Sequence, residues 1–356
     1  MSTLSDAERT RLTKSPSQLL LVPRQGRAKP IFYGVECFSP TLIDFYSPGD
    51  DTRLLWASRS HRKTFRTLHL ALDPESTRRW LLLSWSTWSS LFLTLGAVLF
   101  LYAGVNESAY HPHATTTTNA NLTQPNFPLA LVRQTIDTPL LLGAISLLFA
   151  NILTYVEVIN CCHDLDMWLH DYLHGLPSRR KLKFYGYYPY RIDFWSSVLG
   201  VLGWAFLVQA RAFVVRHELN VFGVVNLTRG NPRIFWGFWV PSLVGYFGLS
   251  MSAYLMHVEV IHRWFVCRPG LLEFWVTGLY WAGVLLLFTC SFTQYIDPLN
   301  LFVADATSML AFQAGAWALI MSGVLGIFEV NALHSPIRHP AYGKQRQTPR
   351  GRYGAV

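Results

Sequence analysis

Long apolar runs alternate with polar connectors along most of this chain, and six runs are long enough to cross a bilayer. They cover residues 80–103, 139–160, 194–210, 234–257, 271–296 and 309–330, the third being shortest and expected to continue past Ala210. About 20 residues of helix span about 30 Å of hydrocarbon. The pattern therefore predicts an all-α, polytopic membrane protein with six transmembrane helices.

The runs are not independent of one another. A tryptophan followed eight residues later by a glycine opens the odd runs, as Trp88/Gly96, Trp195/Gly203 and Trp275/Gly283. A glycine followed fourteen residues later by Glu-Val closes the even runs, as Gly143/Glu157, Gly245/Glu259 and Gly315/Glu329. This spacing predicts one helical hairpin built three times, over residues 80–160, 193–260 and 271–330. On each even helix eighteen residues make five turns, so Pro139, Pro241 and Ala311 share a face with the glutamates. That face carries Gly143, Ser146 and Ala150, then Gly245, Gly248 and Ser252, then Gly315, Ala318 and Ser322. Lipid supplies no hydrophobic drive between helices, so a stripe of small residues predicts close backbone packing there.

Outside the hairpins the pattern weakens. Residues 1–30 and 331–356 are polar and basic, and are expected to be disordered tails. Residues 31–79 read as a cytosolic or interfacial segment. Its clearest element is a basic amphipathic helix over 54–72, with Leu54, Phe65, Leu68 and Leu72 on one face and Arg59, Arg62, Lys63 and Arg66 on the polar one. Such a helix suits a membrane surface or a small cytosolic subdomain. Asp73-Pro74 predicts a helix start ahead of the first span. The connector 161–192 is amphipathic and then basic and aromatic, and 261–270 is a short loop on the same side. Ile43-Asp44-Phe45-Tyr46-Ser47 echoes Ile192-Asp193-Phe194-Trp195-Ser196 at the third span.

Charge sets the orientation. Of 30 Lys and Arg, all but Arg133, Arg211, Arg216, Arg229 and Arg233 fall on one side of the predicted spans. The positive-inside rule then puts both termini in the cytosol. Three glycosylation sequons, at Asn106, Asn121 and Asn226, fall in the two long loops assigned to the opposite side. Together these imply a secretory-pathway or plasma membrane in a eukaryotic host. The formal charge of +9 is accounted for by topology. The expected partners are the bilayer and anionic lipids of the cytosolic leaflet, with no nucleic acid and no identifiable protein partner. Trp88, Trp195 and Trp275 are expected to anchor the odd helices at the interface.

Candidate chemistry is sparse. Glu157, Glu259 and Glu329 come about 27 Å along their helices, near the cytosolic boundary, where a carboxylate reaches water at modest cost. They read either as structural carboxylates paired with loop groups, Arg263 being placed to serve Glu259, or as a site for protons or cations. His163, Asp166, His170 and His174 share one helical face, a spacing compatible with zinc or iron as well as with a solvated polar face. Cys161-Cys162 adjoins a span, a setting for palmitoylation. Phosphate loops, nucleophile elbows and catalytic triads are missing from the sequence, and no cofactor is implied.

The recurring unit has an aromatic at the first entrance, a mid-helix glycine, a glycine opening the return helix and an acidic residue closing it. It resembles the YrhK-like two-helix membrane family in three copies. That family has no assigned activity, so the resemblance implies the hairpin and no catalytic residue. The expectation is a non-enzymatic membrane scaffold or accessory protein. The alternatives are a proton or cation transporter or channel using the three glutamates, and a metal-dependent membrane lipid enzyme using the histidine face.

Overall fold

The structure, a computed structural model, describes residues 31–63 apart from 36, 40 and 48–51, then 84–110, 131–174 apart from 132, 183–217, 232–296, 305–334 and 345–346. Of the side chains beyond Asn160 on the second span nothing is described.

Three short strands, β1 (Ile31–Tyr33), β2 (Leu42–Ser47) and β3 (Thr52–Ala57), lead into a short helix α1 (Ser58–Lys63). The membrane body follows as α2 (Trp85–Tyr110), α3 (Thr138–His174), α4 (Ile192–His217), α5 (Val240–Ile261), α6 (Leu272–Ile296) and α7 (Asp305–His334). These contain six stretches long and apolar enough to span a membrane, at the expected places. The chain is an integral, multi-pass membrane protein with an all-α body. Each of the six helices packs on its neighbours in the chain, and α7 closes on α2, so the six form a ring.

Within each hairpin the two helices cross on a pair of glycines. A Cβ on Gly96 would stand 2.8 Å from the Gly143 carbonyl oxygen, one on Gly203 2.8 Å from that of Gly245, and one on Gly283 2.9 Å from that of Gly315. The approach is sealed by Leu147, Leu249 and Leu319, four residues past the second glycine of each pair. Backbones this close gain dispersion contact that larger side chains would forbid.

A hydroxyl locks each hairpin nearer the glutamates, between the residue after the tryptophan and the seventh after the return-helix glycine. Ser89 Oγ donates to the Ala150 carbonyl at 2.9 Å, and Ser322 Oγ to the Val276 carbonyl at 2.7 Å. In the second hairpin Ser196 and Ser252 donate to each other's carbonyls, at 2.9 and 2.6 Å. Ser146 adds a bond to the Phe92 carbonyl, which Gly248 and Ala318 at the matching positions of the other hairpins have no side-chain donor to repeat.

The far ends of the first two return helices are wound as π turns, Arg133–Asp137 and Phe235–Trp239, each starting ten residues before the matched glycine. Pro139 and Pro241 follow within two residues. A proline cannot donate back along an α-helical ladder, and a wider turn behind it absorbs the mismatch. The ring is filled mainly by aliphatic side chains, with aromatic rings packed among them. Phe100 stands edge-on to Trp204 at 6.0 Å and stacks on Phe312 at 5.9 Å, and Trp204 Nε1 donates to the Tyr280 hydroxyl at 3.3 Å.

The amino-terminal segment departs from expectation. The amphipathic helix expected over 54–72 is replaced by strand β3 and the six-residue α1; residues 64–83, including Asp73-Pro74, lie outside the described residues. The strands form an antiparallel sheet in the order β1-β2-β3-β4, where β4 (Gln345–Arg346) comes from the tail. Residues 43–47 are strand whereas their echo, residues 192–196, is helix, so the shared pentapeptide carries no structural equivalence. Asn106 lies on α2 rather than in a loop, with its amide donating to the Tyr102 carbonyl at 2.8 Å.

Candidate functional site

The three glutamates close the return helices at one end of the ring, and the fold brings them to one place. Glu259 is 1% exposed, Glu329 2% and Glu157 6%, so all three are buried rather than boundary groups in contact with water. Asp193, two residues before Trp195, joins them. The matching position before Trp88 is Ser86, whose hydroxyl donates to Glu157 Oε2 at 2.8 Å.

The cations come from α1, which enters this end of the ring. Arg59, Arg62 and Lys63 are spaced at i, i+3 and i+4 and so leave α1 on one face. Arg59 forks onto Glu329, Nε to Oε1 at 2.8 Å and Nη2 to Oε2 at 3.1 Å, while Lys63 Nζ lies 2.6 Å from Oε2. Arg62 donates to Glu259 Oε1 at 3.1 Å and Oε2 at 3.3 Å and to Asp193 Oδ2 at 3.0 Å. Its Nε lies 3.6 Å from Glu157 Oε1. Ser58 Oγ donates to Glu259 Oε1 at 2.7 Å. Arg191 completes the cluster on Asp193, Nε to Oδ1 at 2.9 Å with a second short contact to Oδ2. Among the described residues named here, four cations face four carboxylates.

Such pairing is needed because an ion stripped of water costs several kcal/mol unless its partners replace the lost solvation. Burial alone would lower the pKa of Arg59, but Glu329 outweighs it and holds the guanidinium above its ordinary value. Burial, then the neighbouring Arg59, push Lys63 below the usual lysine range despite the Glu329 contact.

Two further contacts hold α1 in place. The Ser58 N–H donates to the Thr41 carbonyl at 2.9 Å, and Thr41 Oγ1 hydrogen-bonds His262 Nδ1 at 2.7 Å. Val35 packs with Ile192, Leu255 and Val258. His262 itself ends α5 in a left-handed conformation, φ 60°, with its N–H on the Val258 carbonyl.

A cavity of about 80 Å3 lies beneath α1, walled by Arg62, Glu157, Ser89, Asn151, Thr154 and Tyr280 among others. Asn151 is six residues before Glu157, so the cavity reaches about 9 Å deeper into the ring. Glu157 lines it, and among the described residues its buried Oε1 has no hydrogen-bond partner.

The remaining sequence candidates divide. Trp88, Trp195 and Trp275 face outward, and the indoles of Trp195 and Trp275 donate to the carbonyls of Pro189 and Pro269, each six residues earlier, at 2.9 Å. Arg263 is exposed, and Glu259 takes Arg62 instead. His163, Asp166, His170 and His174 lie on the extension of α3, and Cys161 and Cys162 begin it, but their side chains lie outside the description. Among the described residues no group of three or more His, Cys, Asp or Glu is arranged to hold a metal ion. Asn121 and Asn226 lie outside the described residues. Sequence reasoning missed Arg59, Arg62 and Lys63 as the partners of the glutamates, and the buried Asp193. It also missed Glu107, Asp137 and Arg211, buried toward the other end. Comparison with protein-family models, curated proteins and solved structures returns no match.

Proposed function

We propose that this is a non-enzymatic membrane scaffold or accessory protein, built as a threefold repeat of one hairpin, whose carboxylate ring clamps the amino-terminal segment onto the bundle. One observation carries the reading: Glu259, Glu329 and Asp193 are each taken up by cations of the same chain. Transporters usually bind at the bilayer centre on broken helices. Here the cluster sits at one end of the ring, and the π turns lie at the other. The recurring glycine crossings and hydroxyl locks support the repeat, and with it the YrhK-like resemblance.

The glutamate end is assigned to the cytosol, facing anionic lipid, with Asn121 and Asn226 as the glycan acceptors opposite. Exposed rings at the glutamate end, including Phe184, Tyr185 and Phe265, suit headgroup depth.

A transporter or channel is the second reading, favoured by the cavity beside Glu157. Proton and cation flux into proteoliposomes separates the two. The scaffold reading expects protein-containing vesicles to leak no faster than empty ones. Flux that disappears in Glu157→Gln, Glu259→Gln or Glu329→Gln overturns it. Metal analysis of the purified chain tests the third reading, a lipid enzyme on the histidine face.

A further inference from the structure

We propose that the cavity beneath α1 is a binding site for a small guanidinium cation, anchored on Glu157, and that this ligand competes with docked α1. The three glutamates occupy matched places but are not equally served. Glu329 takes a bidentate arginine and a lysine, and Glu259 takes Arg62 on both oxygens and Ser58 as well. Glu157 has Ser86 on one oxygen, while its other oxygen faces Arg62 Nε at 3.6 Å, beyond hydrogen-bonding distance. A buried carboxylate oxygen without a donor is costly to maintain. This one borders a cavity whose wall also includes the polar side chains of Ser89, Thr154, Asn151 and Tyr280.

The adjoining seats indicate the ligand chemistry. Both arginines of α1 meet this ring through planar forks of N–H groups on paired carboxylate oxygens. The cavity, at about 80 Å3, has room for several waters or for one small planar ion. Shared geometry supplies the competition. Arg62 Nε faces the same Glu157 oxygen at 3.6 Å, so a cation seated there contends with Arg62 and with the α1 that carries it. This rests on the docked geometry and not on the scaffold reading, so flux measurements do not decide it.

The test uses the full chain in nanodiscs and the rate at which Lys63 Nζ is acylated by sulfosuccinimidyl acetate, read by mass spectrometry against Lys183 as internal reference. Methylguanidinium chloride is titrated beside equal concentrations of sodium chloride and tetramethylammonium chloride, a cation lacking N–H groups. The expected result is a saturable rise in Lys63 labelling, about tenfold when the ligand reaches ten times its Kd, by mass action. The two control salts leave labelling near its starting value. Glu157→Gln, which keeps the shape and removes the charge, reduces the response to the level of those salts. The proposal is overturned by unchanged labelling, by an equal rise with either control salt, or by an undiminished response in Glu157→Gln. The wild-type comparison among the three salts needs no variant to fold.

Discussion

Arg59 and Glu329 stand 270 positions apart in the chain and meet fork to fork inside the ring. The pair ties the amino-terminal segment to the last span. Both groups are buried, so each depends on the other to replace its lost hydration. Lys63 shares the same carboxylate at 2.6 Å, which makes the two sides of the contact unequal.

Removing the carboxylate should accordingly cost more than removing the arginine. Glu329→Gln leaves Arg59 and Lys63 buried together without their common partner, and a loss of about 3–5 kcal/mol is expected. Arg59→Met leaves Glu329 paired with Lys63 and should cost less. Unfolding of both single variants and the double variant in mixed micelles gives the coupling. Equal costs for the two single changes, with no coupling, would remove the pair as the clasp.

The glutamates were legible in the sequence because each closes a span at a fixed distance from a glycine. On the small-residue face, Ser146, Ser252 and Ser322 donate to carbonyls of the facing helix. What the glutamates bind was not legible. Arg59, Arg62 and Lys63 are three among 30 Lys and Arg, and periodicity treats a charged helical face as a solvated one. A signal was present in their i, i+3, i+4 spacing, since buried carboxylates require cations presented together. Nothing local to the chain says that a segment before the first span folds back over the last. Asp193 gives no separate signal, because an acid in the first turn of a helix such as α4 is already favoured by the helix dipole.

The glycine crossings make a graded prediction. Gly96→Ala, Gly203→Ala and Gly283→Ala each push a methyl group against a facing carbonyl, and a cost of about 1–3 kcal/mol each is expected. The nearest atoms to a Cβ on Gly248 are 3.9 Å away, so Gly248→Ala meets only ordinary contact. Its gain in helix propensity, up to about 1 kcal/mol, should make it neutral or stabilising. Denaturant unfolding of the four variants checks the order. A Gly248→Ala cost matching that of Gly203→Ala would contradict it.

Hydroxyl locks should matter less, and unequally. Interhelical hydrogen bonds in membrane proteins average about 0.6 kcal/mol and reach about 1.7 kcal/mol. Ser322→Ala removes the bond to Val276, whereas Ser252→Ala leaves Ser196 still donating to the residue 252 carbonyl. Ser322→Ala should therefore lower the unfolding midpoint more than Ser252→Ala. Adding Ser196→Ala to Ser252→Ala should make up the difference, and a double variant no less stable than Ser252→Ala alone would argue against the reciprocal lock.

Acidification should loosen the amino-terminal segment through His262. Burial first, and then the nearby Arg268, lower the imidazole pKa from 6.5 to about 4. Between those values the unfolded chain carries a proton that the folded chain refuses, so folding loses stability as pH falls. The contribution is complete above about pH 6.5 and is lost progressively toward pH 4. Thr41 hydrogen-bonds this ring and also accepts the first N–H of α1, so the loss falls on the docked segment. His262→Asn is the suitable comparison, because asparagine tolerates the left-handed backbone at this cap and does not titrate. Melting temperature against pH should fall more steeply for wild type than for the variant between pH 6.5 and 4, and run parallel above that window. Parallel curves throughout would show that His262 does not carry the pH dependence.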